Sequence, residues 1–83
     1  MDRLTHWVRY PHNVRFADLC REVERLGFVL TAIRGSHHKY KHRATRTRLV
    51  LTPDKTGKAK AYQIHEAYDL AVGLGLLSPG EEP

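Results

Sequence analysis

The clearest hydrophobic pattern in the chain is a helical stripe over residues 16–26. Apolar side chains recur there at the spacing of one helix face, at Phe16, Leu19, Cys20, Val23 and Leu26. Gly27 follows at the position where a glycine often ends a helix. We therefore predict an amphipathic helix over residues 16–26, with its apolar face on a core.

Three short segments after this helix have the composition of β strands. Residues 28–33 are β-branched and aromatic, residues 37–43 alternate between two faces, and residues 48–52 are again aliphatic and β-branched. The turn signal Gly35-Ser36 makes the first connection short. A short connection joins antiparallel strands, so we expect an antiparallel sheet.

A second amphipathic helix is predicted over residues 61–74, and Pro79 prevents its continuation. Its expected apolar face is Ile64, Ala67, Tyr68, Ala71 and Gly75, and its expected solvent side is Gln63, Glu66 and Asp69. The order is thus helix, three strands, helix. This order predicts an α+β fold in which two helices cover one face of a three-stranded antiparallel sheet and leave the other face open to water.

The 83 residues fit one domain with a small core. We divide them into an N-terminal arm (1–14), packed loosely on the body or on a partner, a folded domain (15–77) and a flexible tail (78–83). Cys20 is the single cysteine, so no internal disulfide forms. No apolar run approaches the length of a membrane span and no signal peptide is visible. We therefore expect a soluble, cytoplasmic protein that does not associate with a membrane.

Positive charge is concentrated in the middle of the chain. The formal net charge is +5, and no Asp or Glu occurs between Arg25 and Pro53. The cations of this window are Arg25, Arg34, Lys39, Lys41, Arg43, Arg46 and Arg48. Such a patch favours a polyanion, most simply nucleic acid, although a solvated cationic surface has the same composition.

The second predicted strand is the candidate for chemistry. Its alternation separates His37, Lys39 and Lys41 from His38, Tyr40 and His42, and Tyr40 is the better candidate to face a core. His37 would then lie on the open face among cations. A histidine moves protons near neutral pH, and cations stabilise the anionic transition state of phosphodiester cleavage. The alternative is an exposed histidine after a turn, with no role.

Lys58 and Lys60 form a second candidate site just before or within the first turn of the second helix. A helix start has free N–H groups, so lysines beside it suit phosphate. The alternative is a pair of solvated lysines on a loop.

Other chemistries find little support. The six histidines lack the spacing of a zinc site, and no Cys-x-x-Cys or His-Glu-x-x-His occurs, so we expect no metal and no cofactor. No Gly-x-Ser-x-Gly occurs, and Ser36 has no evident acid to orient a base beside it.

The run Leu26-Gly27-Phe28, followed by Arg34-Gly35-Ser36-His37-His38-x-Tyr40-x-His42, resembles the HicA toxin family of bacterial toxin–antitoxin modules. The resemblance covers about residues 15–77. It implies a double-stranded-RNA-binding-domain-like fold with the helix–three strands–helix order. It also implies a metal-independent RNA-cleaving toxin (mRNA interferase) that blocks translation and is neutralised by a HicB antitoxin covering the catalytic histidine.

By the same resemblance, His37 is the catalytic histidine, and Gly35 and Ser36 shape the site. Common members carry a Pro-x-His segment after the third strand. Here the corresponding segment, 52–60, is longer and contains Gly-Lys-Ala-Lys, which looks like a variant branch. Similar lysines in double-stranded-RNA-binding domains contact phosphates.

The sequence therefore predicts an endoribonuclease toxin of a type II toxin–antitoxin system, acting on mRNA. His37 is the general acid/base, and the expected RNA-binding residues are Arg34, Lys39, Lys41, Lys58 and Lys60. Two rivals stay open. One is a non-catalytic RNA-binding module of the same fold, and the other is an interaction protein whose basic face binds an acidic partner.

Overall fold

The computed structural model describes residues 2–79, which contain three helices and a three-stranded antiparallel sheet. The helices are α1 (Arg3–Arg9), α2 (Phe16–Arg25) and α3 (Ala61–Gly73), and the strands are β1 (Phe28–Arg34), β2 (His37–His42) and β3 (Arg48–Leu51). The predicted α+β fold and its α-β-β-β-α order are confirmed from α2 to α3. Residues 80–83, most of the expected tail, lie outside the described residues.

The core lies between one face of the sheet and the helices. Inward-facing strand residues are almost fully buried, as at Phe28, Tyr40, Leu49 and Leu51. They share a hydrophobic cluster with Leu19 and Val23 of α2 and Ile64 of α3. Since the intervening strand positions are exposed or only half-buried, the other face of the sheet is open, as the alternation predicts.

The segment expected to be an N-terminal arm contains a helix that belongs to this core. Asp2 caps α1 by accepting a hydrogen bond from the Leu4 N–H at 2.8 Å. Leu4 is fully buried and Trp7 is nearly so, and both lie in the common cluster. Because α1 packs against α2 and α3, it is part of the helical layer.

Gln63 was expected on the solvent side of the last helix, and this prediction is wrong. The side chain is buried, and its Oε1 accepts a hydrogen bond from the Thr52 N–H at 2.9 Å. Thr52 directly follows β3, so the backbone leaving the sheet needs a partner there. Gln63 supplies it and links the end of β3 to the first turn of α3.

The strand order β1-β2-β3 follows the sequence, and β2 lies in the centre. The register pairs Arg34 with His37 next to the turn, and it shifts between Leu30 and Ala32. Thr31 is therefore an extra residue in β1, which is a β-bulge.

Candidate functional site

A two-residue turn places His37 at the first position of β2. Arg34 and His37 are cross-strand partners, and Gly35 and Ser36 connect them. Gly35 has φ +59°, a conformation that glycine adopts without steric cost. A Cβ at Gly35 would meet no atom within 4 Å, so the backbone conformation, not lack of space, favours glycine. The turn leaves His37 exposed.

The strand alternation gathers His37, Lys39 and Lys41 on the open face of the sheet. The register adds a residue that the sequence analysis did not single out, because Lys41 lies opposite Arg48 of β3. Leu49 and Leu51 point into the core. Because side chains alternate along a strand, these two leucines in the sequence predict that Arg48 points to the open face. The open face therefore carries His37 and four cations, because Arg34, as the cross-strand partner of His37, lies on the same face as Lys39, Lys41 and Arg48.

His38 faces the helices instead. Its ring lies edge-on to Phe16 with centroids 4.8 Å apart, and its Nδ1 is 3.1 Å from the Ser36 carbonyl oxygen. Because a carbonyl only accepts, Nδ1 carries the proton in this contact. The side chain is half-buried, so the two adjacent histidines occupy different surroundings.

Lys58 and Lys60 both precede α3 and lie outside its first turn. Lys60 is the N-cap residue, and Lys58 lies in a tight turn closed by Asp54. The Asp54 Oδ1 accepts from the N–H and Oγ1 of Thr56 and from the Lys58 N–H, at 2.8, 2.8 and 2.9 Å. These hydrogen bonds, that from the Lys58 backbone foremost, lower the pKa of the Asp54 carboxyl.

The turn that carries Lys58 lies on the helix side of the sheet. Lys58 forms a β-bridge with Arg15, and its Nζ donates to the Asn13 Oδ1 at 2.8 Å. Phe16, which follows Arg15 in the chain, donates its N–H to the Gly57 carbonyl at 3.1 Å, and its ring contacts His38. The predicted cations and His37 thus form two groups. Arg34, His37, Lys39 and Lys41 lie on the open face, and Lys58 and Lys60 lie in the segment that leads into α3.

His42 has a structural position. It is 4 % exposed, its Nε2 is 2.8 Å from the Leu26 carbonyl, and its Nδ1 accepts from the N–H groups of Ala44 and Thr45 at 3.1 and 3.3 Å. A Cβ at Gly27 would lie 2.7 Å from this Nε2. The glycine that ends α2 therefore also leaves room for the histidine ring.

The other side chains with a shifted pKa, Tyr40 and Cys20, lie in or against the core. Burial raises the pKa of Tyr40, whose hydroxyl donates to the Glu24 Oε2 at 3.2 Å. Burial also raises the pKa of the half-buried Cys20 thiol. Within residues 2–79, no group of three or more His, Cys, Asp or Glu side chains could hold a metal ion. No helix in this range is long and apolar enough to cross a membrane.

Comparison with protein families shows to which family the chain belongs. Residues 16–67, more than half of the chain, match the family model described as the HicA toxin of bacterial toxin–antitoxin systems. The chain belongs to the HicA toxin family. The match runs from the first residue of α2 into α3 and includes the Gly35-Ser36 turn, His37 and the Lys58 turn.

No curated protein and no solved structure matches this chain. Family membership makes the protein a toxin of a toxin–antitoxin system, and such a system includes an antitoxin partner. RNA cleavage is the general activity of HicA toxins.

Proposed function

We propose that this HicA toxin is a metal-independent endoribonuclease that cleaves mRNA, with His37 as general acid/base. One observation carries the proposal: His37 is exposed at the start of β2, on the same face as Lys39, Lys41 and Arg48. Phosphodiester cleavage needs a proton-transferring group and positive charge for the transition state. The open face offers both.

The remaining predicted residues support this role from their positions. Gly35 and Ser36 hold the turn before His37, and Arg34 lies directly opposite His37. Lys58 and Lys60 extend the positive surface to the helix side, where they would contact phosphates of the same RNA. A HicB-type antitoxin would neutralise the toxin in the cytoplasm by covering His37.

A second candidate is a non-catalytic RNA-binding module of the same fold. One observation favours it: among residues 2–79, no hydrogen bond orients the His37 ring, whereas His38 and His42 are both held. A catalytic base is commonly positioned by such a contact, although in unbound sites it often forms only with substrate.

The deciding experiment incubates purified protein with a mixed RNA pool in EDTA. We expect the wild type to cleave, and His37→Ala to lose about 10²–10⁴-fold of the rate while it retains RNA binding. The control is His65→Ala, which removes an exposed histidine on α3 and should cleave like wild type. Binding by the wild type without cleavage would support the RNA-binding module, and equal cleavage by His37→Ala would exclude His37 as the acid/base.

A further inference from the structure

A groove lies on the open face of the sheet, beside the proposed cleavage site at His37. Its volume is about 260 Å³, and its lining residues are Thr31, Lys39, Tyr40, Lys41, Arg48 and Val50. Pockets for drug-sized ligands begin at roughly 300 Å³, so this groove suits a smaller chemical group.

The groove combines uncharged lining with cations. Val50 is 41 % exposed although it is aliphatic, and the bulge residue Thr31 donates its hydroxyl to the Lys39 carbonyl at 3.1 Å. The Thr31 methyl group and the Val50 side chain can therefore contact an aromatic ring. Single-stranded nucleic acids bind proteins through such a combination of base contact and positive charge.

The cations of the groove lack partners within the described part of the chain. Lys41 lies directly opposite Arg48, and like charges at such positions destabilise a sheet. No acidic side chain lines the groove. Glu66 and Asp69 share a neighbouring depression with Arg48, but among residues 2–79 no ion pair within 4.0 Å joins either of them to it. An anion between Lys41 and Arg48 would relieve this repulsion.

We propose that this groove is a nucleotide subsite for single-stranded RNA. A base packs on Val50 and Thr31, and Lys39, Lys41 and Arg48 bind the flanking phosphates. The proposal rests on the proposed function, because it takes RNA as the ligand. A duplex turns its bases inward and hides them from such a groove, whereas an unpaired base reaches it.

The subsite lies next to the proposed scissile bond. Lys39 follows His37 by two residues on the same face of β2, which is about 6.6 Å along a strand. A nucleotide in the groove would therefore hold a neighbouring phosphate near His37. Base contact at Val50 would then influence which nucleotide is cut.

The test measures binding of an all-2′-O-methyl RNA, single-stranded or annealed to its complement, by fluorescence anisotropy in EDTA over a range of salt. We expect tighter binding of the single strand. For single strands, log K falls with log[salt] by about 0.7 per phosphate contact. Arg48→Ala should therefore reduce this slope by about 0.7 and weaken binding about fivefold at 0.1 M salt. Arg21→Ala removes the same charge from α2 and is the control.

A second pair of variants tests the base contact. Val50→Glu places a negative charge in the groove and should weaken single-strand binding more than Arg48→Ala does. Val50→Thr keeps a side chain of similar shape that suits a strand, and should bind within about twofold of wild type. Circular dichroism checks that all variants are folded.

The outcomes separate the subsite from the proposed function. If wild type cleaves RNA, but Arg48→Ala and Val50→Glu bind like Arg21→Ala, the subsite is wrong and the nuclease stands. If both variants lose binding and wild type never cleaves, the subsite stands and the nuclease is wrong. Absence of RNA binding by the wild type overturns both. Equal affinity for poly-glutamate overturns the subsite in favour of an acidic protein ligand.

Discussion

Three histidines of β2 have different environments although they belong to one short strand. His37 is exposed, His38 is half-buried against Phe16, and His42 is buried. The two-residue period of the strand places His37 on the opposite face from His38 and His42. His38 lies at the turn end of β2 and His42 at its other end, where the burial is greater. At the residue scale, the imidazole is thus available for chemistry at His37 and used for packing at His42.

His42→Ala should destabilise the protein by about 3 kcal/mol, because it leaves a cavity and deprives the Leu26 carbonyl and the Ala44 and Thr45 N–H groups of their partner. Urea denaturation measures this change. His65→Ala, on the exposed side of α3, should change the free energy of unfolding by no more than about 0.5 kcal/mol. Equal stability of the two variants would contradict the structural role of His42.

At the scale of elements, the turn before α3 fixes the backbone that carries Lys58. Asp54 accepts three hydrogen bonds in this turn, and the Asp54 N–H in turn donates to the Lys58 carbonyl at 2.9 Å. Gly57 takes φ +83° in the same turn. The strand-like contact of Lys58 with Arg15 depends on this geometry, so Asp54 acts on the basic surface through the backbone.

The lowered pKa of Asp54 makes this turn sensitive to acid. Since the folded-state pKa lies below the ordinary value of 3.8, the unfolded chain binds the proton more readily. The stabilisation is complete above about pH 4 and is lost as the pH falls through the lowered pKa. Asp54→Asn should therefore be less stable than wild type at neutral pH and show a weaker decline in stability below about pH 4.

The measurement is the urea midpoint of both proteins between pH 2.5 and 7. Asp69→Asn, on the exposed side of α3, serves as the control because its carboxylate closes no turn. Parallel pH curves for Asp54→Asn and wild type would show that the Asp54 hydrogen bonds do not stabilise the fold.

At the scale of the whole molecule, charge and fold are arranged together. Among residues 2–79, the ion pairs lie on α1, α2 and the α1 cap, as between Arg21 and Asp18 at 2.8 Å and between Arg25 and Asp2 at 3.7 Å. The cations of β2 and β3 have no such partners within residues 2–79. The ion pairs therefore neutralise charges on α1 and α2, whereas the open face keeps a positive field for a polyanion.

The sole tryptophan, Trp7, reports whether α1 unfolds with the rest of the molecule. Trp7 is 9 % exposed in the common core, so we expect its fluorescence and the far-ultraviolet circular dichroism to change together in urea, as in two-state unfolding. A Trp7 transition at clearly lower urea would instead describe residues 1–14 as a separable arm. Leu4→Ala should lower the free energy of unfolding by about 3 kcal/mol and move both transitions to lower urea together.

The sequence by itself determined the elements from α2 to α3, their order and the open face of the sheet. Helix periodicity over residues 16–26, strand alternation from His37 and the turn at Gly35-Ser36 are local signals, and each was readable because its period or backbone requirement lies within a few residues. The family resemblance came from the same stretch. The roles of His37 and the predicted lysines stay predictions.

Only the tertiary structure decided which distant residues meet. Arg48 opposite Lys41, the Phe16–His38 contact, the Arg15–Lys58 bridge and the burial of Gln63 depend on register and on docking of segments far apart in the chain. The position of α1 depends likewise on a core to which α2, α3 and the sheet all contribute. Local periodicity carries no information on such contacts, because they are chosen by how the hydrophobic faces pack together.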